Sequence, residues 1–168
     1  MILPEVEALI RPLASAACIE LFESYGISMS QSTQRSVKPS GYLLCGAMGF
    51  VGPQLKGSIL FAGTQEPLRQ VAGPNPLRDW VAELTNQMVG RLKTKLLRVG
   101  VEIYLTTPVV LRGEHIVPLP DNCPEPLFFA DEQGSTLCVW LDLEPAPGLE
   151  FAHTPNADAL GEGEELMF

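Results

Sequence analysis

The chain predicts an α+β fold in which two long helices pack on one antiparallel sheet. Two segments, residues 4–25 and 76–99, carry apolar residues at helical spacing. Each ends at a glycine that runs straight into a strand-like stretch, as Tyr25-Gly26-Ile27-Ser28-Met29 and Val99-Gly100-Val101-Glu102-Ile103, with the two glycines 74 residues apart. About three strand-like runs follow each helix, so the sequence reads as duplicated halves of one helix plus three strands. With 168 residues, 46% of them hydrophobic, there is material for one core but not for two ordinary domains.

The first helix places Val6, Leu9, Leu13, Ala17 and Leu21 on one face and stops at Gly26. Pro12 lies inside it and predicts either a kink or a helix that begins properly only near Arg11. Residues 27–31 alternate apolar and polar, the pattern of a half-buried strand. Residues 42–51 and 55–62 are two further strands, joined through Gly52-Pro53-Gln54 as a hairpin loop. After a loop over 65–75, Asn75 is the expected N-cap of the second helix and Pro76 its first residue. Leu77, Trp80, Val81, Leu84, Met88, Leu92 and Leu96 then share one face, and Gly100 ends the helix.

Arg91, Lys93, Lys95 and Arg98 crowd the last turns of that helix, where cations oppose the negative end of the dipole. They read as solvation of the helix end in preference to a docking patch. Three more strands are expected over 101–110, 127–130 and 136–143, the last two joined by a turn at Asp131-Glu132-Gln133-Gly134. Residues 118–126 form a Pro-rich loop. The folded domain is expected to span residues 1–144. Residues 145–168, which carry three prolines and no Lys or Arg, read as an acidic tail or loosely attached strap.

Charge and cysteine usage exclude several functions. The net charge of −9, from 11 basic against 20 acidic residues, argues against nucleic acid or an anionic membrane as the partner, because both require a cationic surface. Residues 144–168 hold six of the acids and no Lys or Arg, whereas residues 76–99 hold five bases against two acids. The acidity is therefore mostly a property of the tail, and the second helix is locally basic. No apolar run reaches the length of a membrane span, and the start Met1-Ile2-Leu3-Pro4-Glu5 lacks the pattern of a signal peptide. Cys18, Cys45, Cys123 and Cys138 are too scattered for a zinc or redox motif, and read as small core residues of a protein in a reducing, cytoplasmic compartment.

The face of the second helix opposite its apolar stripe is the chemical feature of the sequence. At roughly 100° per residue, Asp79, Glu83, Asn86 and Gly90 fall within an arc of roughly 60°. This is a row of carboxylate, carboxylate, carboxamide and bare backbone. A mid-helix glycine costs roughly 1 kcal/mol relative to alanine, so its presence points to something that must approach closely. A solvated face with an incidental glycine is the bland alternative.

The spacing Asp79-x3-Glu83-x2-Asn86-x3-Gly90 resembles the motif helix of the CheC/CheX-type chemotaxis phosphatases, Asp/Ser-x3-Glu-x2-Asn-x3-Gly. Residues 52–61, a glycine-bounded hairpin leading into an apolar strand, and residues 107–113, a Pro-x4-Gly segment, are similar to the same family in their places around the motif. The resemblance covers roughly residues 5–144. It implies that the substrate is a CheY-like response-regulator receiver domain phosphorylated on aspartate, and that the reaction is hydrolysis of that acyl phosphate. Asn86 then matches the residue that orients the attacking water, and Glu83 the one that pairs with the receiver's lysine. Asp79 and Gly90 would contact the partner, unless Asp79, in the first helical turn, serves only the helix dipole. The Mg²⁺ belongs to the receiver, so no metal site and no cofactor of this chain's own are expected.

An acyl phosphate is already activated. What a catalyst must add is a water held in line with phosphorus, which a carboxamide, donor and acceptor together, can hold. Related proteins with two active sites repeat the motif in the first helix. Here the 74-residue offset carries Glu83 onto Leu9, Asn86 onto Pro12 and Gly90 onto Ala16, and no Glu-x-x-Asn survives. A single site of the CheX type is expected, and the resemblance also implies a homodimer. The alternatives are a non-catalytic adaptor on the same scaffold, as among the flagellar switch components, and a divergent member acting on another substrate. His115 and His153 are isolated, and Gly46-x-x-Gly49-x-x-Gly52 lacks the spacing of a phosphate loop.

Overall fold

The computed structural model describes residues 3–33, 42–64, 68–69, 72–114 and 125–152. His115, His153, Cys123 and the Pro-rich loop over 118–124 lie outside them. Two helices, α1 (Leu3–Glu23) and α2 (Leu77–Arg98), cover one face of an antiparallel sheet of seven strands. The strands are β1 (Met29–Ser32), β2 (Tyr42–Val51), β3 (Leu55–Thr64), β4 (Tyr104–Leu105), β5 (Val109–Glu114), β6 (Leu127–Asp131) and β7 (Thr136–Pro145). Their order is β1-β6-β7-β3-β2-β4, with β5 also paired to β2. Each edge is therefore made by a strand that pairs with the other half of the chain: β1 with β6, and β4 and β5 with β2.

Alternation decides which side chains enter the core. Leu44, Met48 and Phe50 of β2, Ile59 and Phe61 of β3, Phe129 of β6, and Leu137, Val139 and Leu141 of β7 point toward the helices. They meet Val6, Ile10, Leu13, Ala17 and Leu21 of α1 and Val81, Leu84, Met88, Leu92 and Leu96 of α2. Each large apolar side chain so buried contributes about 1.5–3 kcal/mol relative to exposure. Phe22 stacks on Phe61 at 6.1 Å between ring centres, tying the end of α1 to the centre of the sheet. Gly46 of β2 lies directly under α2. A Cβ there would run into Thr85 Oγ1, so the helix reaches this depth only because the strand has no side chain at that point.

Both helices close alike. The amide of Ile27 donates to the Phe22 carbonyl at 3.0 Å, and that of Val101 to the Leu96 carbonyl at 2.9 Å. Gly26 and Gly100 sit between these pairs at φ 76° and 83°, a region that glycine adopts without steric cost.

Four expectations change. The helix of α1 begins at Leu3 rather than near Arg11, and Pro12 lies inside it. Ala8 and Pro12 are both exposed, so the Ala8 carbonyl that proline leaves without an N–H donor can be solvated. Asn75 does not cap α2; its amide donates to the Ala72 carbonyl at 3.1 Å, and Pro76 stands at the N-cap with no side-chain bond. The single strand expected over 101–110 is two, β4 and β5, lying end to end along β2 with a one-residue shift in register between them. Thr106 fills the break, its backbone amide and its hydroxyl each 3.0 Å from the Gly49 carbonyl and its hydroxyl also taking the Gly49 amide at 3.0 Å. Pro108 could not have continued the ladder. Finally, the packed chain continues past Glu144. The Ala146 amide donates to Gln54, the Ala152 amide donates to Val99, and Leu149 is buried.

Cys18, Cys45 and Cys138 are buried and unpaired, as expected of core residues. Burial pushes all three thiols up, those of Cys45 and Cys138 to about 11. No helix among the described residues is long and apolar enough to cross a membrane.

Candidate functional site

Helix α2 owes its position to its apolar stripe, and that stripe fixes what the opposite face presents. With Val81, Leu84, Met88 and Leu92 fully buried, Asp79, Glu83 and Asn86 are exposed and Gly90 is half-buried. All four predicted residues thus lie along the outward side of one helix, as the spacing required.

Their surroundings differ. Asp79 is engaged by its neighbour: Arg78 Nε and Nη2 donate to Asp79 Oδ1 at 3.1 and 3.0 Å. Both side chains are more than half exposed, so this pair contributes little to stability. Glu83 Oε1 accepts a hydrogen bond from Gln87 Nε2 at 2.8 Å. Asn86 projects from the helix between Glu83 and Gly90, and no bond from its carboxamide to another described residue is found. At Gly90 a Cβ would meet nothing within 4 Å beyond its own helix. Packing among the described residues therefore does not account for this glycine.

The basic residues near α2 do more than solvate its end, which the sequence did not reveal. Lys95 is buried against α1, its Nζ 2.6 Å from Glu20 Oε1, with the lysine side chain 7% and the glutamate 37% exposed. Arg91 Nη2 donates to Ser24 Oγ at 3.3 Å. Lys93 lies over the Tyr104 ring at 5.8 Å. At the other end of α2, a cleft of about 400 Å³ is lined by Arg69, Arg78 and Arg112 with Leu44, Leu77 and Val110. Among the described residues, no group of three or more His, Cys, Asp or Glu side chains could hold a metal ion.

This geometry can be set beside known proteins. The family model for chemotaxis phosphatase CheX matches residues 44–125, which include all of α2. A CheX chemotaxis protein from Vibrio vulnificus superposes with a TM-score of 0.65 at 21% identity, covering 79% of this chain and 94% of that one. A chemotactic CheC-like protein from Shewanella oneidensis MR-1 gives 0.64 at 24% identity, covering 82% and 99%. The CheX of Borrelia burgdorferi, solved as a complex with CheY, BeF₃ and Mg²⁺, gives 0.59 at 20% identity, covering 81% and 97%.

The chain is similar to the CheC/CheX-type family, in sequence over residues 44–125 and in fold over most of its length. No curated protein sequence matches it. At the identities given, the likeness to the solved structures is one of fold, and it carries the α+β architecture. In this CheX-like chain, sequence reasoning singled out the row on α2 but missed the contacts that surround it. The Glu83–Gln87 bond had a signal, since residues four apart on a helix are neighbours. The bond from Tyr25 to Gln87 had none, because it joins residues 62 apart in the chain.

Proposed function

We propose that the chain is a phosphatase that hydrolyses the aspartyl phosphate of a CheY-like receiver domain. Asn86 orients the attacking water, and Glu83 anchors the receiver through its lysine. The observation that carries this reading is a helix face where an exposed carboxylate, an exposed carboxamide and a side-chain-free position follow at the family's spacing. Water attacks phosphorus as the bond to the aspartyl oxygen breaks, giving inorganic phosphate and a free carboxylate. The receiver brings the Mg²⁺. The protein's part is placement, which for a preactivated phosphoryl group is most of the catalytic task. A charge-assisted bond from Glu83 fixes the partner's orientation.

The family match and the CheY complex of a structurally similar protein support the partner class. The excess of five bases over two acids across residues 76–99 suits an acidic partner. The reading carries a cytoplasmic location, which receivers require. It carries a homodimer as well, supported by exposed Val51, Tyr104, Val109 and Leu111 around β2, β4 and β5. Origin by duplication is supported by the matching helix caps and by the exchange of edge strands between halves. The decisive assay is the phosphate lifetime of candidate receivers, charged with a small phosphodonor, with and without the protein. A shortened lifetime supports the reading, whereas stable binding with an unchanged lifetime establishes the adaptor.

A further inference from the structure

An exposed glutamate is a poor anchor unless something holds it. A free Glu side chain samples many rotamers, and ordering it on binding opposes association. In this structure Glu83 is held, and the hold leads back to α1. Gln87 is half-buried between the helices, and its two ends face different partners. Its Nε2 donates to Glu83 Oε1 at 2.8 Å, and its Oε1 accepts from Tyr25 Oη at 3.0 Å. The direction of this chain is set by chemistry. A carboxylate only accepts, so the amide must turn its NH₂ toward Glu83. That leaves its oxygen toward Tyr25, whose hydroxyl supplies the donor. The opposite amide orientation would set oxygen against oxygen.

Tyr25 is fixed in turn. It stands in the glycine-terminated cap of α1, where its amide donates to the Phe22 carbonyl at 3.0 Å. Its ring meets Trp80 of α2 edge-on, at 5.4 Å and 75°. Two further contacts hold this end of α1 in antiparallel register with α2, Ser24 to Arg91 at 3.3 Å and Glu20 to Lys95 at 2.6 Å. The three links step along α2 four residues at a time, from Lys95 through Arg91 to Gln87, and the last hands on to Glu83.

We propose that Tyr25 and Gln87 are positioning residues that preset the carboxylate of Glu83, so that the first helix, which has no motif of its own, serves the site on the second. The proposal rests on the role given to Glu83 above. Oε1 is committed to Gln87, and Oε2 is left for the receiver's cationic group.

Tyr25→Phe is the sharpest test, because it removes one oxygen and keeps the ring on Trp80. Gln87→Met is the second variant, keeping length and helix propensity. Each should raise KM for the phosphorylated receiver about three- to tenfold, the loss of one ordered hydrogen bond, with kcat nearly unchanged. On a Glu83→Ala background Tyr25→Phe should add nothing, whereas combined with Asn86→Ala its effect should multiply. An equal loss with and without Glu83 would overturn the proposal, as would wild-type kinetics in both variants.

A readout independent of activity separates this inference from the functional one. NMR side-chain couplings of Glu83 should report one rotamer in the wild type and averaging in Tyr25→Phe. Averaging in both proteins would overturn the positioning role. A fixed Glu83 in a protein that dephosphorylates no receiver would uphold the positioning and reject the phosphatase.

Discussion

Gly90 separates stability from function at the level of one residue. Its Cβ position is open, and alanine is the better helix former by roughly 1 kcal/mol, so Gly90→Ala should stabilise the protein by about 0.5–1 kcal/mol in urea unfolding. If a receiver lies against this stretch of α2, the same substitution should raise KM severalfold. A stabilised variant with unaltered KM would mean that no partner backbone approaches there. Gly46 makes the opposite case, since a Cβ at that point meets Thr85, and packing inside the molecule explains it fully. Gly90 could be read as facing outward, because it lies opposite the apolar stripe of its own helix. What could not be read was that Gly46 lies under Thr85, because that depends on how α2 packs on β2. Asn75 shows the same limit at a helix start, where a good capping residue is spent on the preceding turn.

The contact between α1 and α2 carries three polar links, Glu20 to Lys95, Ser24 to Arg91 and Tyr25 to Gln87. Lys95 is the most enclosed of them: its ammonium is nearly buried and depends on Glu20 for compensation. Glu20→Ala should cost about 3 kcal/mol, since it strands a buried charge, whereas Lys95→Met should change stability by less than about 1 kcal/mol. Urea denaturation of the two variants checks the asymmetry, and equal losses would contradict it. The helices and the central strands were legible because each has a long periodic pattern, and Tyr42–Val51 is observed at its expected bounds. The pairing of Glu20 with Lys95 was not legible, since a lysine in a last helical turn looks alike whether it faces solvent or another helix. The break between β4 and β5 did have a signal in Pro108, which the apolar run around it concealed.

Over the whole molecule, the edge strands cross between halves, so each half holds one hairpin of its own and completes its edge only on the other. Val109 and Leu111, at 56% and 49% exposure, leave apolar surface along the β5 edge. If the proposed homodimer forms along this edge, Val109→Asp should shift it toward monomer in sedimentation, and a monomeric wild type would reject the dimer. The row on α2 was legible in full, because four residues at fixed spacing on one helix need no tertiary information. Its support was not, because Tyr25 and Gln87 meet only when the helices pack. The proposed water-placing role of Asn86 is best measured through the single-turnover rate of receiver dephosphorylation at saturating protein, comparing wild type with Asn86→Ala. The variant should be roughly 10²-fold slower, with the receiver still bound. An undiminished rate in Asn86→Ala would rule that role out.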